Sequence, residues 1–173
     1  MKFELPFKEQ IYDEQMTLNF NTAWNDNLKK NKKRLIWAIP MILLGGLIIY
    51  GKNNLGFLFI AIWIHYLINF YDYYSYYKKS KNAFFELVET EKNGQIDANE
   101  NSIWEFNDDH FRYKDYKYEA KIKWNAFKST RVIDKNLFID LNIGNNSSYV
   151  IGETELGTEN FDKVTEFIKS KIR

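Results

Sequence analysis

His65, Asn69 and Asp72 are the residues whose types and spacing best suit chemistry in this 173-residue chain. Four and then three positions apart, they fall on one side of a helix, and Ala61 extends the stripe. His65 and Asn69 lie in the run Asn53 to Tyr71, which contains no Asp, Glu, Lys or Arg, and Asp72 follows it directly. An imidazole beside an amide and a carboxylate in such a setting could sense protons or hold a ligand. The structural reading is the stronger one. His65 and Asn69 would hydrogen-bond across a pair of helices or a dimer contact, while Asp72 reaches the interface with water.

A second constellation runs from Phe111 to Trp124, where Arg112, Lys114, Lys117, Lys121 and Lys123 interleave with aromatic residues. Single-strand nucleic-acid tracks have this composition. In an alternating strand, however, the aromatics turn to the core and the lysines to water, and Asp115 and Glu119 interrupt the cationic line. Formal net charge is +1, so no nucleic-acid partner is expected. Asp108, Asp109 and His110 have the chemistry of metal ligands but sit where a turn is expected. Glu153 and Glu155 read as solvated rather than as an acid–base pair. The chain has no cysteine, and no HExxH, GxSxG or phosphate-cradling glycine loop. No catalytic, cofactor-binding or metal-binding residue is assigned, and neither an enzyme nor a cofactor is expected.

The elements that must position these residues begin with two apolar runs. Leu35 to Gly51 and Asn53 to Tyr71 are 17 and 19 residues long without an acidic or basic side chain. A helix crossing a bilayer needs ~20 such residues, with a range of ~17–25. Gly51-Lys52-Asn53-Asn54 suits a tight turn, so residues 35–77 are expected to form a two-helix transmembrane hairpin. Pro40 can kink its first helix, and Gly45 and Gly46 offer a surface for close helix approach. Lys29, Lys30, Lys32, Lys33 and Arg34 precede the hairpin and Lys78, Lys79 and Lys81 follow it, against Lys52 alone at its tip. Such an excess of Lys and Arg marks the cytoplasmic side. Both termini are therefore expected in the cytoplasm, with the two clusters drawn to anionic lipid. Residues 1–28 lack the apolar stretch of a cleavable signal peptide.

Residues 1–34 open with a strand-like Lys2-Phe3-Glu4-Leu5, stopped by Pro6. Met16, Phe20, Trp24 and Leu28 then recur at four-residue spacing and predict an amphipathic helix. From about Ala83 to Arg173 the period becomes alternating. Trp104 and Phe106 share a face, as do Phe111 and Tyr113, then Tyr118, Ala120, Ile122 and Trp124. Leu137, Ile139, Leu141 and Ile143 follow, then Tyr149 and Ile151. Asn107-Asp108-Asp109, Asp115 and Asn145-Asn146-Ser147 read as turns. Gly157-Thr158 starts a final helix with Phe161, Val164, Phe167 and Ile168 on one side, and Lys169, Lys171 and Arg173 suit its C-terminal dipole. The expected class is an α+β membrane protein: a helical hairpin plus a cytoplasmic, bent antiparallel sheet capped by a C-terminal helix.

This order resembles the YcxB-like family of bacterial membrane proteins. Ile122-Lys123-Trp124-Asn125-Ala126-Phe127 carries the resemblance, with Leu137-Phe138-Ile139-Asp140-Leu141, Tyr149-Val150-Ile151 and the helix from Phe161 to Ile172. Where the family often has an Ile-Pro-Lys-like stretch, this chain has Ile151-Gly152-Glu153. The resemblance implies the bacterial inner membrane and a pleckstrin-homology-like domain of about seven strands and a helix. One strand is lacking from the count, and Phe85 to Thr90 or Phe3 to Leu5 would supply it. Phosphoinositide binding needs clustered cations, whereas the first β-turn, Asn107-Asp108-Asp109-His110, is acidic.

The expected role is therefore non-enzymatic, with a protein partner or a second copy bound by the cytoplasmic domain. The expected contact face is the outer side of the sheet, with Lys121, Lys123 and Phe138. Phe138 should point opposite to Leu137, Ile139 and Leu141, and large aromatics are enriched at interfaces. In the competing arrangement the N-terminal helix covers Phe138 through Phe20 and Trp24. A membrane immunity or stress-protection protein that neutralises a toxin is the alternative role.

Overall fold

Pro6 has no N–H to offer a ladder, so the first strand stops short of it and a helix starts three residues on. The computed structural model describes residues 1–143 and 148–172. Its order is β1 (Lys2–Leu5), α1 (Glu9–Tyr50), α2 (Gly56–Ala98), β2 (Ser102–Phe106), β3 (His110–Lys114), β4 (Glu119–Lys123), a 3-10 turn (Trp124–Ala126), β5 (Phe127–Ile133), β6 (Asn136–Leu141), β7 (Ser148–Gly152), α3 (Glu153–Leu156) and α4 (Thr158–Lys171). The fold is mixed, with helices and antiparallel sheets. The chain divides into one unit of residues 1–19 and 87–173 and another of residues 20–86.

In the first unit, β1-β2-β3-β4 form one antiparallel sheet and β5-β6-β7 another. β1 supplies one strand missing from the sequence count, pairing Lys2 with Glu105 and Leu5 with Ser102, and β5 is another. Phe85 to Thr90 lies in α2, so residues 83–98, expected to open the β region, are helical. β5 escaped the alternation reading because its register slips between Phe127 and Ser129 and its middle is Lys-Ser-Thr-Arg. Trp124 is buried as expected, but it opens the 3-10 turn instead of ending β4. Its indole Nε1 donates to the Asn107 carbonyl at 2.9 Å. The core gathers Phe106 and Phe111, Leu137, Ile139 and Ile151, and Phe161, Val164 and Ile168 of α4. Gly157, at φ 75°, makes the entry to α4 as expected. The expected turn Asn145-Asn146-Ser147 and the cation Arg173 lie outside the described residues.

The opposite face of β5-β6-β7 differs from expectation. Phe138 does point away from Leu137 and Ile139, yet it is fully buried, not exposed. The Arg131 guanidinium lies 5.1 Å from its ring centre. On the same face Gln15 of α1 donates to Asn136 at 3.3 Å. The residues expected to cover Phe138, Phe20 and Trp24, pack instead against Tyr73, Tyr76, Tyr77, Phe84 and Phe85 of α2. Lys92 of α2 ties to Asp13 and Glu9 of α1 at 3.2 and 3.3 Å.

In the second unit α1 continues unbroken through Pro40 to Tyr50, so the amphipathic helix and the first apolar run are one element. The two helices run antiparallel: contacts climb α1 from Phe20 through Asn31 to Gly45 as they descend α2 from Phe84 through Phe70 to Gly56. At the tip, Lys52 takes φ 59°. Its N–H bonds the Ile49 carbonyl while that of Asn53 bonds Ile48, a Schellman closure. Gly45 and Gly56 meet so closely that a Cβ on Gly56 would lie 2.5 Å from the Gly45 carbonyl, whereas Gly46 faces open space. The expected glycine surface is therefore Gly45 with Gly56.

Around this seam the outward side chains are apolar and exposed, among them Ile36, Trp37, Leu43, Leu47, Phe57, Leu58 and Ile68. Among the described residues, α1 is the helix long and apolar enough to cross a membrane. α2 carries His65, Asn69, Asp72 and a run of tyrosines in the corresponding stretch, and it does not reach the same apolarity.

Candidate binding cleft

The first unit contains a cleft of about 460 Å³ walled by both sheets and by the ends of α1 and α2 that belong to it. Aromatic rings form one side. Tyr113 sits 5.0 Å from Trp104, 5.2 Å from Tyr149 and 5.7 Å from Tyr118, centre to centre. The alternation of β3 and β7 brings them together, because Tyr113 and Tyr149 share the inward side of their strands with Phe111 and Ile151. Tyr118 follows from the turn before β4, where the Asp115 carboxylate accepts the N–H groups of Lys117 and Tyr118 at 2.8 and 2.9 Å. An Asx turn of this kind is what the isolated Asp115 suggested.

The helical side is polar. Gln15 is buried and donates to both Asn136 and the Glu155 carboxylate. Glu155 also accepts the Gly152 N–H at 2.8 Å, closing the start of α3. Burial raises the Glu155 pKa, and the bonds from Gly152 and Gln15 only partly offset it. Glu155 is therefore half-buried and bonded rather than solvated, which corrects the expectation for it. Glu153 lies outside the cleft in an ion pair with Lys135 at 3.2 Å. Asn19 is 8% exposed, lines the cleft, and has no side-chain hydrogen-bond partner among the described residues. Lys117 pairs with Glu91. Tyr116 packs over Gly94 of α2, where any Cβ would collide with its ring.

Burial, then nearby acids, raises the hydroxyl pKa of Tyr113 and pushes that of Tyr12 up to about 12, and burial leads the same shift in Tyr118 and Tyr149. All four hydroxyls stay protonated at neutral pH. The cleft thus offers aromatic faces, neutral hydrogen-bonding groups and a few charged side chains, of which Lys117 and Glu91 pair with each other.

The residues singled out from sequence lie elsewhere. Lys121 and Lys123 are exposed on β4, an edge strand of its sheet, where lysines discourage edge pairing. Across that face Arg112 bridges Glu105 at 3.0 Å and Glu119 at 2.7 Å, so the cationic track is broken by paired acids. Asp108 pairs with Lys171 of α4 and His110 with Asn107. Among the described residues no three His, Asp or Glu side chains gather as a metal site. Lys29, Lys30, Lys32, Lys33 and Arg34 are exposed on α1, and Lys78, Lys79 and Lys81 on α2.

His65, Asn69 and Asp72 share an exposed side of α2. The Asn69 amide meets His65 Nε2 and donates to the His65 carbonyl, both at 2.9 Å. The pair therefore bonds within its own helix and does not bridge to α1. The cleft itself was missed from sequence because its residues come from the turn after β1, from α1, α2, β2 and β3, from the turn before β4, and from β6, β7 and α3. Buried Gln15 and Asn19, on a helix read as amphipathic through Met16 and Phe20, are the signal that was available. Compared with known proteins, the chain matches no family model, no curated protein and no solved structure.

Proposed function

We propose that this chain is a membrane-anchored, non-enzymatic binding protein. Its helix pair crosses the bacterial inner membrane twice, and its β unit stays in the cytoplasm and takes a segment of a protein partner into the tyrosine-rich cleft. The observation that carries the reading is the pairing of β1 with β2. Residues before α1 and after α2 belong to one unit, so a chain that crosses at α1 has to return at α2. The exposed apolar girdle of both helices supports the same reading, since a water-soluble surface rarely tolerates so much contiguous apolar area. The lysine clusters bracket that girdle as headgroup-side anchors do. Seven strands and a C-terminal helix agree in number with what the YcxB-like, pleckstrin-homology-like resemblance implies. A reporter active only outside the cytoplasm should work when inserted at Asn53 and be silent when fused at the C-terminus. Activity at the C-terminus or silence at Asn53 would overturn the double crossing.

A further inference from the structure

We infer that the side of α2 bearing Ala61, His65, Asn69 and Asp72 is where a second copy of this chain docks within the membrane. The inference rests on the double crossing proposed above. These side chains are exposed on the side of α2 away from Gly56, Trp63, Leu67 and Phe70, which are buried or half-buried in the helix pair. Their exposed neighbours on the same side are apolar, namely Leu58, Ile62 and Ile68. In hydrocarbon, a polar group without a partner is costly. Asn69 satisfies its donor by turning back on His65, one turn away. That leaves the Asn69 carbonyl oxygen and the second nitrogen of His65 without a hydrogen-bond partner among the described residues, although an amide and an imidazole each hold both donor and acceptor capacity.

The occupant follows from depth and symmetry. Copies inserted in the same direction and related by a two-fold axis along the membrane normal bring residue 69 opposite residue 69, and residue 65 opposite residue 65. The open Asn69 carbonyl oxygen can accept from the open ring nitrogen of His65 on the facing copy, one turn away, and the reverse contact follows by symmetry. A different partner would need a matching polar group at the same depth, and a second copy has one by construction. Ala61, one turn before His65, leaves room for the helices to approach.

The chain contains no cysteine, so a single introduced thiol reports one position. The full chain carrying Ala61→Cys should cross-link to a dimer in dilute proteoliposomes, and Ile64→Cys, exposed on the flank, should not. Adding Asn69→Leu to Ala61→Cys should lower the cross-linked fraction roughly three- to tenfold, the scale of one or two interhelical hydrogen bonds. That substitution replaces an exposed group with a lipid-compatible one, so the chain should remain folded and resist alkaline extraction. Equal cross-linking at both positions, no effect of Asn69→Leu, or capture of a different membrane protein at residue 61 would overturn the second-copy assignment. Release of the unmodified chain by alkaline carbonate would overturn the membrane reading itself. Retention without a cross-link at residue 61 overturns the docking inference alone.

Discussion

Asp140 sits 5% exposed on β6 and still carries an ionised carboxylate. Burial pushes its pKa up, but bidentate donation from Arg131 at 2.8 and 2.9 Å, with the hydroxyls of Ser148 and Ser129, outweighs burial and leaves it below the ordinary aspartate value. A depressed carboxylate contributes stability above its unfolded pKa of about 3.9, and loses it as pH falls through that range. Asp140→Asn should therefore cost about 2–3 kcal/mol at pH 7, less than a fully buried pair because Arg131 is partly exposed. The gap to the parent should narrow below pH ~4, as read by tryptophan fluorescence of the detergent-solubilised chain in urea; a constant gap would deny Asp140 this role. Phe138 belongs to the same face. Because it is buried and not on an exposed contact face, Phe138→Ala should cost about 3–5 kcal/mol of stability, as truncating a core aromatic does. Unchanged urea unfolding of that variant would contradict the burial.

At the scale of elements, Gly45 and Gly56 decide how closely α1 and α2 approach. A Cβ on Gly56 meets backbone atoms, which cannot rotate aside, so Gly56→Ala should destabilise the helix pair by about 1–3 kcal/mol. Gly46→Ala meets nothing within 4 Å and should stabilise by up to ~1 kcal/mol through helix propensity. Thermal unfolding in detergent separates the two, and equal effects would argue against the seam. The same contrast shows what sequence reading resolves: both glycines of the Gly45-Gly46 pair looked suited to a helix contact, and only the partner helix distinguishes them. Strands β2 and β3 were readable from alternation, and β6 and β7 from the spacing of Leu137, Ile139 and Leu141 and of Tyr149 and Ile151, although β6 is buried on both faces. β5 was not, since a bulge and a polar middle hide its period. Residues 83–98 were placed in the alternating region although the alternating runs start only at Trp104, and α2 continues through them to Ala98. The cleft left little local signature, since tyrosines from separate strands become neighbours only after the sheets pair.

For the molecule as a whole, the cleft gives the binding reading its test. A photo-activated cross-linker replacing Tyr118, which is 47% exposed at the cleft, should capture a protein in intact cells. The same group at Lys123, on the exposed edge, should not. Capture at Lys123 alone would return the contact to the outer face of the sheet, and capture at neither would sink the partner reading. The β1–β2 pair also sets a schedule for biosynthesis. Leu5 emerges from the ribosome 97 residues ahead of Ser102. At elongation rates of ~5–20 residues per second, the first strand waits roughly 5 to 20 seconds for its neighbour. Both long helices are made during that interval, so the strand that edges the first sheet waits longest for its pairing partner, even though β1–β2 is the first strand pair to be completed. Nascent chains arrested before residue 102 should leave it open to protease, and release from arrest should close it.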